Sequence, residues 1–232
     1  MKERPILFSA PMVRSIMDGK KSQTRRAIQF QPPSDEFKLS RLMDTTDSDK
    51  RKHIGKLHWV KIDGVNIADE TIDYFNCPHG IPGDRLWVKE TWQGPLFYDE
   101  IPEDWNSEKY KNPKYCHYRA SFHSCDFIDA DDNYVERWAP SIFMPRWASR
   151  ILLEITNVRV ERLNDISEED AIAEGCFKFP FEDDHAYTFY ENDKSGHATH
   201  TGAYRKLWES INGKGSWDIN PYVWVIEFKR IT

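Results

Sequence analysis

Apolar positions along the chain mark a handful of elements separated by three polar stretches. Pro5 to Phe8 is a short apolar run, and Ser9 then stands where a side-chain oxygen can cap a helix carrying Met12, Val13, Ile16 and Met17 on one face. Gly19 is a natural stop for that helix. The basic stretch Lys20-Lys21-Ser22-Gln23-Thr24-Arg25-Arg26 therefore lies in the loop and strand after the helix, not within it. Residues 29 to 55 carry no sustained period and read as a mobile loop or insertion, including the charged run Asp44 to Lys52. Leu57 to Ile62 and Val65 to Ile67 flank Asp63-Gly64, a pair suited to a tight hairpin, here expected to be a decoration.

Pro82-Gly83-Asp84 launches the strand-like run Arg85 to Trp92, rich in aromatic and β-branched residues. Strand character returns at Ile151 to Val160, with Leu153, Ile155, Val158 and Val160 as its apolar residues. A short helix follows, with Ser167 as cap and Asp170 completing a capping box, and it ends near Gly175. Tyr204, Leu207, Trp208 and Ile211 share one face of a further helix stopped by Gly213 and Gly215. Tyr222 to Phe228 is the strongest strand and reads as one that closes a barrel. Trp87, Trp208 and Trp224 are expected in the core. The order contains no regular βαβ alternation and no repeat, so the expected fold class is α+β: a small mixed β-barrel with flanking helices. One domain spans 1–232, with insertions near 29–75, 93–140 and 177–200.

Composition narrows the partners. A net charge of -6 argues against a general, charge-driven affinity for nucleic acid and leaves room for a local basic patch. No stretch approaches the roughly 18 to 20 apolar residues of a membrane span, and the start leads into too short an apolar run for a signal peptide, so a cytoplasmic chain is expected. Cys77, Cys116, Cys125 and Cys176 then read as reduced thiols. Cys77, His79, Cys116 and His123 bring thiols and imidazoles close in sequence, but their spacing fits no standard zinc pattern. Asp129, Asp131 and Asn133 resemble half a calcium loop, yet Tyr134 stands where the sharp turn needs Gly. Gly213-Lys214-Gly215-Ser216 follows a helix instead of opening one and reads as a helix stop, not a phosphate loop. No cofactor or metal is expected.

Gly19-Lys20-Lys21-Ser22-Gln23-Thr24-Arg25-Arg26, Pro82-Gly83-Asp84-Arg85-Leu86-Trp87-Val88 and Val225-Ile226-Glu227-Phe228-Lys229 together resemble the ASCH domain, and the whole chain looks most like ASCH proteins encoded by phages and prophages. The resemblance implies a PUA-like barrel, a fold whose relatives bind RNA or read modified bases. Compact bacterial members that deacylate N4-acetylcytidine use a Lys and a Thr after the first helix and a Glu at the end of a later one. The matching positions here are Lys21, Thr24 and Glu174. This chain is about twice as long as those members, and the residue after Thr24 is charged.

Three readings follow. The first is a binding protein for nucleic acid, RNA foremost, or for a modified nucleoside, with Arg14, Lys20, Arg25, Arg26, Arg146 and Arg150 on phosphates and Trp92 or Trp147 stacked on a base. The second is an amidohydrolase acting on N4-acylated cytidine or a related nucleoside. The third is a phage accessory protein whose insertions bind another protein. For hydrolysis Lys21 must lose its proton readily, which needs burial and positive neighbours such as Lys20, Arg25 and Arg26. Lys21 and Thr24, three apart, face opposite sides of a regular strand and converge only if the chain bends between them. Without such convergence the basic residues are a solvated rim, Thr24 an ordinary strand residue and Glu174 a helix decoration.

Overall fold

The computed structural model describes all residues except 44, 45, 47, 64, 65, 98–101, 105, 106, 123, 129–133, 182, 183, 190–195 and 232. The expected run 44–52 and hairpin turn fall partly outside the described residues, and His123, Asp129, Asp131 and Asn133 wholly so. The strands are β1 (Glu3–Leu7), β2 (Gln23–Ala27), β3 (Phe37–Arg41), β4 (Leu57–Asp63), β5 (Asn66–Phe75), β6 (Arg85–Lys89), β7 (Trp92–Gln93), β8 (His117–Tyr118), β9 (Asp126–Ile128), β10 (Tyr134–Glu136), β11 (Leu152–Arg162), β12 (Phe177–Phe181), β13 (Asp184–Thr188) and β14 (Tyr222–Arg230). The helices are α1 (Ala10–Met17), α2 (Glu168–Ala173) and α3 (His200–Asn212). The molecule is thus a mixed α+β structure, mostly sheet.

Five strands form the central sheet in the order β1-β6-β11-β14-β2. β1 runs parallel to β6, which the intervening α1 and β2 to β5 make possible, and the remaining pairings are antiparallel. The sheet ends at β1 and β2, so among the described residues it is open, and the barrel closure expected of Tyr222–Phe228 does not occur. β14 lies instead between β11 and β2, and this inner position accounts for its apolar run: Val223, Trp224, Val225 and Ile226 are all buried. In β11 the inward side chains switch from Leu153 and Ile155 to the partly buried Val158 and Val160, and the register against β14 shifts between Ile155 and Asn157. A one-residue bulge at this point carries the apolar series from odd to even positions.

The stretch from 29 to 75 is more than the expected loop and decorating hairpin. β3, β4 and β5 form a three-stranded antiparallel sheet, with Asp63 opposite Asn66. Phe37, Trp59 and Phe75 are buried in the main core, where Trp59 meets Tyr222 and Phe75 meets Trp224 edge-on. Isolated aromatic residues in a polar segment show no period, yet each buries a large area once docked. Trp87 departs the other way and is only half-buried, because β6 turns Leu86 and Val88 inward while Lys89 and Arg146 lie over the indole. Trp208 and Trp224 are buried as expected.

The helix ends follow the sequence with two corrections. Ser9 holds the N-cap position of α1 but makes no side-chain cap bond. Ser167 accepts from Asp170 N at 3.1 Å, whereas the Asp170 carboxylate turns to Arg25 and Arg159 in place of the reciprocal box contact. Glu168 in the first turn of α2 accepts from His200 N (2.8 Å), Thr201 N (3.1 Å) and Thr201 Oγ1 (2.6 Å), which ties α2 to the start of α3. Burial opposes its charge, but the Thr201 and His200 donors outweigh it and hold the carboxyl down at about 2. A carboxylate depressed in this way stabilises the fold fully above its ordinary value near 4.5, and that contribution is lost as pH falls through 2. Acid unfolding followed by circular dichroism should show stability falling across this window, and Glu168→Gln should flatten the fall; an identical acid limb in the variant would exclude Glu168 as its source. No helix among the described residues is long and apolar enough to cross a membrane.

Candidate functional site

The chain turns sharply just before Lys21. Gly19 takes φ 72°, and the Lys20 and Lys21 amides both donate to Ser15 O, which folds the chain back over the end of α1 before β2 begins at Gln23. Lys21 thus sits in the turn, outside the strand's alternation, and its side chain is fully buried. Glu174 arrives from the opposite direction at the C-cap of α2. The chain leaves α2 through Gly175 (φ 102°), where an added Cβ would lie 2.6 Å from Ser15 Oγ, so this close approach of the α2 end to α1 needs glycine.

Lys21 Nζ donates to Glu174 Oε2 at 2.6 Å and to Glu174 O at 2.8 Å. Arg25 Nη1 takes the other carboxylate oxygen at 3.3 Å, and its Nη2 reaches Asp170 at 2.7 Å and Glu161. Arg159 extends the cluster, bridging Asp170, Glu161 and Glu227. Burial is the main influence that pushes Lys21 below the usual lysine value of 10.5; Glu174 opposes it by charge and hydrogen bond, and Arg26 adds to the lowering. The expected direction therefore holds, with burial as the first cause. Burial likewise lowers Arg26 and pushes the neighbouring Cys176 thiol up to about 12.

Thr24, opposite Ile226 in β14, is buried and faces a cavity of about 50 Å³. Glu174, Arg25 and Arg26 line the same cavity, and α3 closes it with Tyr204, Leu207, Trp208 and Asn212. Of the three residues nominated by the resemblance, Lys21 and Glu174 are in direct contact, and Glu174 and Thr24 both line the cavity. Arg25 and Arg26 join them, though not as a solvated rim. Arg25 is fully buried with three carboxylates, and Arg26 donates to Leu7 O at 2.7 Å and lies over Phe8.

The other proposed contact residues are elsewhere. Arg14 and Lys20 border a much smaller hollow with Phe177 and Phe189, and Lys20 pairs with Asp18 at 3.1 Å. Trp92 is buried edge-on against Trp147 in a satellite core with Cys116, Tyr118 and Met144. Arg150 is locked on Glu90, and Arg146 pairs with Glu3 at 3.0 Å. These residues do not form one basic cleft, because each cation has an internal partner. The acidic partners Glu161 and Asp170 went unnoticed in the sequence, although the Arg159, Glu161 alternation on β11 put both charges on one face of the strand. Among the described residues no group of three His, Cys, Asp or Glu side chains is placed to hold a metal. Cys77 and Cys116 are both pushed up by burial, Cys116 to about 11, which disfavours the thiolate a metal requires.

Comparison with protein-family models, with curated proteins and with solved structures gave no match in any of the three.

Proposed function

We propose that this chain is an ASCH-type protein with a PUA-like core, and that Lys21, Thr24 and Glu174 hydrolyse the exocyclic acyl amide of an N4-acylated cytidine or a related nucleoside. The observation that carries the reading is the buried 2.6 Å Lys21 to Glu174 contact at a cavity that Glu174 lines together with Thr24. Two residues picked by motif position alone meet and the third lines the same cavity, which a solvated rim does not explain. The mixed α+β architecture and the placement of the three motif segments on β2, β6 and β14 support the kinship.

In the proposed step the Thr24 hydroxyl adds to the acyl carbon while its proton passes to neutral Lys21 Nζ. Collapse breaks the bond from carbon to the exocyclic nitrogen, which takes the proton back from Lys21. Water then releases the acyl group from Thr24 as the carboxylic acid. Glu174 holds Lys21 in place and completes the proton path. Burial of Lys21 favours this role because it raises the fraction of free amine at neutral pH.

The test is release of cytidine from N4-acetylcytidine, followed by chromatography. Lys21→Ala and Thr24→Ala should each lower turnover by a factor of about 10². The acid limb of the wild-type pH profile should bend below 10.5 and be absent in Lys21→Ala. Folded wild-type protein without turnover would sink the catalytic reading.

A second reading, binding of a modified nucleoside without turnover, is favoured by the engagement of Glu174 on both oxygens by Lys21 and Arg25. The cavity is also far below the roughly 300 Å³ at which small-molecule pockets begin, so it admits the acyl end of a ligand and leaves the sugar outside. For either reading a free nucleoside or a base at a strand end is favoured over a long RNA. The candidate phosphate contacts are dispersed and internally paired, and a tracked backbone needs several free cations in a row.

A further inference from the structure

The cavity beside Thr24 has a second wall that the reading above does not use. Tyr204, Trp208 and Asn212 succeed one another at intervals of four on α3 and so share one helix face, with Leu207 beside them. Tyr204 and Trp208 are each at least 96% buried, at 3% and 4% exposure. The two rings lie 6.5 Å apart, and burial holds the Tyr204 hydroxyl well above its ordinary range. Asn212 spends its Nδ2 on Trp208 O at 3.1 Å.

Trp208 is different. It lines the cavity, its side chain is buried, and its Nε1–H finds no acceptor among the described residues. An indole N–H is a donor only, so nothing but an acceptor can satisfy it. Leaving it bare carries the desolvation cost of an unmade hydrogen bond, and native proteins tolerate few such groups without a use for them. Replacement of Trp by Phe at this position would keep the ring in the core and remove the cost, so packing accounts for the aromatic ring but not for the N–H.

We propose that Trp208 is the specificity-determining donor of this site, its Nε1–H received by the carbonyl oxygen of the ligand's acyl amide, with the Tyr204 and Asn212 face of α3 as the wall that seats the group. The inference rests on the nucleoside reading above and names the residue that recognises the acyl end. The cavity has the size for it: at roughly 10–15 Å³ per enclosed water, 50 Å³ holds a group of three or four heavy atoms. The chemistry also fits, since Thr24 of β2 and Trp208 of α3 line the same cavity, so that an amide carbonyl seated there would meet a nucleophile from one element and a donor from the other. A ligand that lacks the carbonyl leaves the donor unpaired and loses that contribution.

Binding of N4-acetylcytidine and of cytidine is measured by calorimetry on Thr24→Ala, which slows turnover about a hundredfold, and on Thr24→Ala/Trp208→Phe, with melting temperatures for both. The expected result is about tenfold weaker binding of N4-acetylcytidine in the double variant and an unchanged affinity for cytidine, with both melting temperatures well above that of the titration, so that the difference is one of binding and not of folding. In parallel, the assigned Trp208 indole N–H resonance of Thr24→Ala should shift downfield with N4-acetylcytidine and not with cytidine, a readout that leaves Trp208 in place. Equal N4-acetylcytidine affinity with an unmoved resonance would overturn the proposal, and would mean that the donor serves only a trapped water. Binding that depends on Trp208 in a wild type without turnover would remove the hydrolytic reading and leave this one standing. No binding of either nucleoside would end both.

Discussion

Glu174→Ala should lower the unfolding free energy by about 3–5 kcal/mol in denaturant titration at neutral pH. Lys21 and Arg25 are both fully buried on their side chains, and Glu174 is the carboxylate they share. The two cations fare differently when it is removed. Arg25 keeps Glu161 and Asp170. Among the described residues Lys21 keeps as hydrogen-bond acceptor the backbone oxygen of residue 174, at 2.8 Å, and must either hold a charge without a carboxylate partner or give up its proton. The double variant Lys21→Met/Glu174→Ala should therefore recover a substantial part of the loss, since replacing both members of a buried pair by apolar groups removes the stranded charge. A single-variant cost below about 1 kcal/mol would mean that water reaches Lys21 readily, as it does at exposed ion pairs. Such a result would also weaken the lowered proton affinity that the catalytic reading needs. Because the same substitution affects fold and site together, turnover of Glu174→Ala has meaning only per folded molecule.

The sequence revealed elements better than it revealed their neighbours. α1, α2, α3, β6, β11 and β14 are each marked by local pattern, by a cap or glycine stop, or by a run of β-branched and aromatic residues. Their order in the sheet is not, because β1 meets β6 across some eighty residues and nothing local encodes a parallel partner. The run Val223 to Ile226 speaks for burial on both faces, which an inner strand of an open sheet and a closing strand of a barrel share. β3 was hidden, and the hairpin of β4 and β5 read as mere decoration, for another reason: Phe37 stands alone among polar residues, and only docking onto Tyr222 and Trp224 makes Trp59 and Phe75 core.

For the site, Lys21, Thr24 and Glu174 were legible through the motif resemblance and not through periodicity. The glycines at 19 and 175 were visible as helix stops, yet their larger effect is to fold two helix ends onto each other, so that Lys21 meets Glu174. The charges misled where they were counted by sign along the chain. Arg25 and Arg150 read as free cations in a local window, while their carboxylates come from over a hundred and from sixty residues away. Trp208 was readable as core, but its unpaired N–H becomes apparent only when every acceptor around it has a position.

Arg150→Met is the case where the two uses of an arginine are most sharply opposed. As a phosphate contact, Arg150 would cost ligand affinity on removal and leave the fold intact. The structure instead sets its guanidinium 4.0 Å over the Tyr118 ring, with Nε on Glu90 Oε1 at 2.9 Å, Nη2 on Glu90 Oε2 at 3.0 Å and Nη1 on Ser121 Oγ at 2.9 Å. Glu90 is 1% exposed, and burial pushes its carboxyl up against the opposing pull of Arg150. Removing the arginine should then cost about 3–5 kcal/mol at neutral pH, as for other buried pairs broken on one side. A carboxyl whose folded-state value is raised binds a proton in the fold before it does in the unfolded chain, so the deficit should shrink as pH falls toward that raised value. Denaturant titrations at pH 7 and pH 5 read this directly, and Glu90→Gln/Arg150→Met should largely remove the pH dependence. Arg150→Lys should restore only part of the stability, because a single ammonium cannot reproduce the two-pronged contact or the stacking on Tyr118. An Arg150→Met protein of unchanged stability at both pH values would return Arg150 to the surface cations available to a ligand, and with it the case for a nucleic acid bound on that surface.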